Sequence, residues 1–405
     1  MKFIIYIYLT TLCLNNVFTQ SITSAVIPSD IWGSDSPQIV ESNGNILFVS
    51  TNIPKGLTEE QSLKYNILFT QIYQFEEKSN SLSEIIKIDD PKDSDEILDV
   101  VSTSNGYWLM IYHFNSKEYF NKEYRTYELI QYDNNHKKVN SERTTFHPSS
   151  LLAVRNNILV AGTKFVNNKN VNGINHKLHI DLKDHSLNNI FQKSYFPATR
   201  SSALGREFDF KLKNLSNGDI AFLSNEYHKD EYDQETFLKF NVKLSVLDSL
   251  GIIKNNIKFT NQRRVLDFID VDNSNFFIIK ATEDSSSMMN NVIANYHLTL
   301  SKYDNEGVKL TENHLVDIEN IGGTTLTKVA KNKYLLSVSS GGFLRLLMID
   351  DNGIILWKKN VFPKTNYSLK SPVDVLVKDN NVYLLGRVSI DGEIGDDFFL
   401  TKITL

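Results

Sequence analysis

One short, strongly apolar signature recurs seven times along this chain: Asn45–Val49 (NILFV), Tyr107–Ile111 (YWLMI), Asn157–Ala161 (NILVA), Asp219–Leu223 (DIAFL), Asn275–Ile279 (NFFII), Lys333–Ser337 (KYLLS) and Asn381–Leu385 (NVYLL). Successive copies start 62, 50, 62, 56, 58 and 48 residues apart. Spacing of this kind marks a chain that uses one supersecondary unit over and over. In each unit a short strand and a polar turn lead into the apolar strand. A variable loop follows, then an alternating strand, a D-x-x-G-like turn and a last strand. The second half is shared by Tyr127–Thr144, Leu244–Lys258, His297–Asn313 and Leu344–Val361, where alternation approaches a polar turn and resumes beyond it. That pattern specifies an antiparallel hairpin whose turn needs a positive φ, which Gly251, Gly307 and Gly353 supply.

Units of four antiparallel strands bury each sheet only if they pack against one another. Seven of them predict an all-β chain, a seven-bladed β-propeller of four-stranded antiparallel blades. The last unit, Phe398–Leu405, is a third strand with no fourth, while Ile22–Trp32 precedes the first strand of the first unit. The N-terminal strand is therefore expected to complete the last blade and close the ring, removing an open sheet edge. The Leu344–Val361 hairpin resembles the tandem propeller repeats, roughly fifty to sixty residues each, common in exported bacterial proteins. That resemblance extends over nearly all of the chain after the leader. It implies a fold and carries no catalytic residue across.

The leader itself is Met1–Gln20, with Lys2 as a short positive region and Phe3–Leu14 as an apolar stretch too short to anchor in a bilayer. Residues 1–20 read as a signal peptide and 21–405 as a single propeller domain, monomeric and secreted, periplasmic or held at the cell surface. The sequons at Asn214 and Asn366 matter only in a eukaryotic export route. The one cysteine, Cys13, lies in the leader, so the folded part has no disulfide, thiolate metal site or cysteine nucleophile. With 43 Lys+Arg against 48 Asp+Glu, the net charge of −5 and the lack of a dense basic block argue against nucleic acid as a partner. No transmembrane segment is expected.

Function is expected on one face. The hairpin turns Asp133–Lys137, Asp248–Gly251, Asp304–Gly307 and Asp350–Gly353 are short and too poor in carboxylates for calcium loops. The opposite face gathers long loops at Pro54–Asn66, His113–Thr126, Phe165–His176, Glu226–Thr236 and Ala281–Asn295, and long loops on a rigid scaffold are where binding resides. Among them, Tyr119, Phe120, Tyr124, Tyr227, His228 and Tyr232 are amphipathic rings suited to stacking on sugars or anchoring a protein. Four of the nine arginines, Arg200, Arg206, Arg263 and Arg264, fall in two successive inter-blade connections. Their planar donor forks suit a carboxylate or sulfate of an acidic glycan, with ion pairs to Glu207, Asp209 and Asp267 as the structural alternative.

The sequence therefore reads as a non-catalytic propeller that binds a protein or glycan. An enzyme acting on glycans, a hydrolase or lyase, is the alternative, with Asp99, Asp209, Asp267 and Asp374 facing the channel. No nucleophile elbow or phosphate-cradling loop is present. The nearest histidine pair, His176 and His179, falls on opposite strand faces, so neither a metal nor another cofactor is expected. The acidic run Asp89–Glu96 reads as a solvated inter-blade turn.

Overall fold

The computed structural model describes residues 21–27, 31–32, 37–54, 68–89, 94–114, 126–144, 146–166, 175–198, 210–227, 240–262, 265–283, 295–319, 321–340, 342–363, 367–369, 374–390 and 396–405. They form seven antiparallel sheets. Numbered from the inner strand outward, blade 1 is Gln38–Ser42, Asn45–Pro54, Phe69–Glu76 and Ser81–Ile88. Blade 2 is Ser94–Thr103, Gly106–Phe114, Thr126–Tyr132 and Lys138–Thr144, and blade 3 is His147–Val154, Asn157–Val166, Asn175–Lys183 and Asn189–Ala198. Blade 4 is Phe210–Asn214, Ile220–Tyr227, Phe240–Leu247 and Ile253–Gln262, and blade 5 is Val265–Asp272, Asn275–Glu283, Asn295–Asp304 and Lys309–Glu319. Blade 6 is Ile321–Ala330, Lys333–Ser340, Phe343–Asp350 and Ile355–Val361. In blade 7 the inner edge is shared by Tyr367–Leu369 and Asp374–Lys378, followed by Asn381–Ile390, Asp396–Thr404 and the N-terminal Ile22–Ile27.

The inner strands touch in chain order, and that of blade 7 returns to that of blade 1, so the ring is closed. The chain is a seven-bladed β-propeller. Ile22–Ile27 pairs with Asp396–Thr404, Ile22 opposite Ile403 and Ile27 opposite Phe398. Closure is thus as the sequence predicts, with one difference. Ile31 and Trp32 do not prolong this strand but pair with Pro54 and Ile53 of blade 1. No helix of the described residues is long and apolar enough to cross a membrane.

The recurrent apolar strand has a direct cause. It is the second strand of each blade, covered on both sides, so its inward and outward parities are both buried. In blade 1, Ile46 and Phe48 pack toward blade 7, whereas Leu47 and Val49 pack toward blade 2. Each gap between neighbouring blades holds an apolar cluster, and Ile53, Leu68, Tyr112 and Tyr127 form a further small one between blades 1 and 2. The gap between blades 7 and 1 is filled like the others, with Phe398 edge-on to Phe48 and Tyr73 at centroid distances of 5.7 and 5.9 Å.

Strand directions sort the connections. Turns between third and outer strands lie on one face, called here the turn face. The second-to-third connections and the inter-blade connections lie on the other, the loop face. On the turn face, Asp133, Asp184, Asp248, Asp304 and Asp350 each accept backbone N–H groups from residues two and four positions on, through one carboxylate oxygen at 2.8–3.0 Å. These aspartates are turn formers, as expected for Asp133, Asp248, Asp304 and Asp350, with Asp184 added by the structure. Position four of the turn has φ of 69°, 84° and 81° at Gly251, Gly307 and Gly353. His136 and Leu187 take the same position in blades 2 and 3 at 62° and 66°, a conformation L residues adopt at a cost.

Candidate functional site: the channel wall and the loop face

Each inner strand pairs on one side only, so its other edge presents unpaired amides to the central channel. The second-strand residues Val49, Met110, Ala161, Leu223, Ile279, Ser337 and Leu385 fix one equivalent level on the inner strands. At that level stand Gln38, Asp99, Ser150, Lys211, Asp267, Thr325 and Asp374. A register shift just before Asp99 and Asp267 re-aims those two side chains.

Three of the four aspartates expected at the channel are described, and they make the same contacts. Asp99 accepts N–H of Val100 at 2.9 Å and of Leu151, on the next blade, at 2.6 Å. Asp267 accepts N–H of Phe268 at 2.8 Å and of Leu326 at 2.7 Å. Asp374 accepts N–H of Val375 at 2.9 Å and, across the ring closure, of Ile39 at 2.8 Å. Each carboxylate staples its own inner strand to the following one. Asp209 lies outside the described residues.

Lys213 adds a cation to this wall. Its ammonium stands 2.9 Å from Asp267 Oδ1 and donates to Leu326 O at 2.7 Å, joining blades 4, 5 and 6. Asp267, suggested above as an arginine's partner, thus engages Lys213. Burial lowers the Lys213 pKa and Asp267 opposes that shift. Asp99 and Asp374 are half-buried on the innermost strands of blades 2 and 7. Burial raises the Asp99 carboxyl to about 7, with the Asp374 charge adding to the rise and the backbone amides opposing it. Asp374 is raised by burial as well, against its two amides and Lys211.

A second polar group lies at the loop-face end of blade 2. His113 Nδ1 is 2.5 Å from Asp95 Oδ1, and its Nε2 is 3.1 Å from Glu128 Oε2, while Lys138 reaches the other oxygen, Oε1, at 3.0 Å. Burial alone would lower the imidazole pKa, but the two carboxylates override it and raise His113 to about 9. The His113 bond in turn holds Glu128 down at about 2. Asp95 is fully buried, which corrects the expectation that the whole Asp89–Glu96 run is a solvated turn: Ser94 and Asp95 begin the inner strand of blade 2. Nearer blade 3, Tyr127 Oη lies 2.6 Å from His147 Nδ1, where that blade begins, and its ring stacks on Tyr112 at 5.2 Å. Neither His113 nor the Tyr127–His147 pair stood out in the sequence, because their partners come from other strands or the next blade.

The aromatic and arginine residues expected on the loop face are placed differently. Tyr119, Phe120, Tyr124, Arg200, Arg206, His228, Tyr232, Arg263 and Arg264 lie outside the described residues. Tyr227 ends the second strand of blade 4, and its backbone alone is described. What the strands do establish is the face: residues 115–125 and 228–239 join second to third strands, and 199–209 and 263–264 join successive blades.

No protein family and no curated protein sequence matches the chain. Solved structures do. A polysaccharide lyase, Uly1, superposes with a TM-score of 0.53 over 92% of this chain and 90% of its own, at 10% identity. Puromycin hydrolase, as its S511A mutant complexed with PGG, gives 0.50 at 7% identity, over 90% of this chain and 53% of its own. An α-L-arabinofuranosidase from Fusarium graminearum gives 0.46 at 9% identity, over 95% and 97%. The likeness is one of fold. At such identities the blade arrangement is shared and the residues are not.

Proposed function

We propose that this chain is an exported, non-catalytic recognition propeller that holds a glycan or protein partner on its loop face. One observation carries the reading: the two faces of the ring are unequal. Five of the seven second-to-third connections span eight residues or more, at 55–67, 115–125, 167–174, 228–239 and 284–294, and all leave on the loop face. Every described third-to-outer turn on the opposite face is tight. A rigid ring that elaborates one rim is the usual design of a binding scaffold. The channel supports this reading in a second way. The carboxylates of Asp99, Asp267 and Asp374 are each engaged by two backbone amides, an arrangement that serves the wall better than proton transfer.

A catalytic reading rests on one specific feature, the Tyr127–His147 hydrogen bond at the loop-face end of blades 2 and 3, a pair able to move a proton next to an anionic sugar. A propeller of similar frame is a polysaccharide lyase, and that kinship is of fold. A single experiment separates the two. The purified chain is titrated with sulfated and uronate-containing polysaccharides and with a surface-protein extract, and product ends are assayed in parallel. Saturable binding without product, weakened at least tenfold in an Arg263→Ala/Arg264→Ala variant, is the expected result. Chain cleavage abolished by Tyr127→Phe would favour the lyase, and absence of both binding and product would overturn the proposal.

A further inference from the structure

The outer rim of blade 5 brings three ligand-type side chains together. His297 lies near the start of the third strand, and His314 and Asp317 lie on the outer strand. His297 and Asp317 are direct cross-strand partners, with Nδ1 of the histidine 2.6 Å from Oδ1 of the aspartate. His314 Nε2 stands 3.2 Å from that same oxygen. The two imidazole centroids are 6.0 Å apart, and the three ligand atoms lie within 4.8 Å of one another.

Strand geometry alone would forbid this. Residues three apart on a strand point to opposite faces, so His314 and Asp317 should diverge. The pairing steps from Leu298–Val316 to Thr299–His314, which leaves Leu315 as the extra residue of a bulge. Parity is reversed there as a result. Leu315 and Ile318, also three apart, both enter the cluster between blades 5 and 6, while His314 and Asp317 both emerge on the exposed side. From blade 6, Arg345 pins this stretch by donating from Nη1 to Asp317 O at 2.9 Å and from Nε to Asn360 Oδ1 at 3.0 Å. Its charge is spent on carbonyls, and the Asp317 carboxylate faces the imidazoles.

Without a ligand this arrangement has little to recommend it. An exposed His–Asp contact adds little stability by itself. A single metal cation satisfies all three groups. We infer that His297 Nδ1, His314 Nε2 and a carboxylate oxygen of Asp317 bind one divalent, late first-row transition-metal ion. Two imidazoles and one carboxylate suit Zn²⁺, Ni²⁺ or Cu²⁺, whereas Ca²⁺ and Mg²⁺ take shells of oxygen. Bonds of about 2.0–2.2 Å need only small side-chain rotations from the present positions. Three protein ligands leave a coordination position open to water or to a donor from a partner.

The test uses the untagged chain, stripped with a chelator and titrated with ZnCl₂ by calorimetry. One ion per chain is expected. Affinity should fall at least tenfold in His297→Ala, in His314→Ala and in Asp317→Ala, and hold in His185→Ala, which removes an exposed histidine on a blade 3 turn. Co²⁺ should give visible absorption bands of mixed nitrogen and oxygen coordination in the unaltered chain, a readout independent of any variant's folding. No binding by the unaltered chain overturns the inference. So does binding that survives His314→Ala with the melting temperature unchanged, the mark of an adventitious ion only.

Discussion

At the scale of single residues, Asp99 and His113 make the stability of the ring depend on pH in a defined direction. Asp99 has an ordinary value of 3.8 and stands at about 7 in the fold. Between those values the folded chain keeps a proton that the unfolded chain has released, so stability falls as pH rises through that window and levels off above it. His113 acts with the same sign higher up. Its pKa rises from 6.5 to about 9, so its contribution is complete below 6.5 and is lost as pH passes about 9. Glu128 runs the other way, stabilising above 4.5 and losing that contribution as pH drops toward about 2. The melting temperature should therefore decline steadily from weakly acidic to weakly alkaline buffer. Asp99→Asn should flatten the acidic half of that decline and His113→Gln the alkaline half, as read by circular dichroism melts across the range. A variant slope equal to that of the unaltered chain would contradict the assignment.

At the scale of the strand and turn, the fold was legible wherever burial or turn chemistry dictates residue type. Second strands sit between two neighbours, so they must be apolar on both parities, and NILFV or NVYLL could hardly be anything else. The D-x-x-G turns were equally legible, since one aspartate oxygen and one positive φ define them. In blades 2 and 3 His136 and Leu187 stand where blades 4, 5 and 6 use glycine. Bulges were invisible, because an extra residue in one strand leaves no mark on composition. Yet bulges aim Asp99 and Asp267 into the channel wall and turn His314 toward Asp317. The candidate site was thus readable as a face and a set of loops, but not as a constellation. One glycine offers a clean test. Gly353 has φ of 81°, and a Cβ there would lie 2.7 Å from Asn313 Nδ2 and 3.3 Å from Leu300 Cδ2. Gly353→Ala should cost about 1–3 kcal/mol in urea denaturation, because left-handed strain and crowding act together.

At the scale of the whole molecule, seven similar gaps carry the stability, and one of them depends on a strand from the far end of the chain. Removing residues 21–27 exposes the edge of Asp396–Thr404 and uncovers part of the cluster between blades 6 and 7, against which Ile22 and Val26 pack. The truncated chain should melt at lower temperature and self-associate in size-exclusion chromatography through its new open edge. Adding a synthetic peptide of residues 21–27 in excess should restore both properties by mass action. A truncated chain with the melting temperature and elution volume of the parent would mean that the clasp is dispensable.

The pairing of Ile22 with Ile403 also sets a timetable for biogenesis. A ribosome releases the first of these residues long before the second, so throughout synthesis the earliest segment must wait without its mate. Blades 1 to 6 can accumulate one after another in the meantime, each resting on its predecessor. The final docking is a long-range, entropically expensive event that converts an open arc into a hoop. Until it happens, the nascent arc ends in an unsatisfied strand margin, and that is the interval in which a chaperone would do most good.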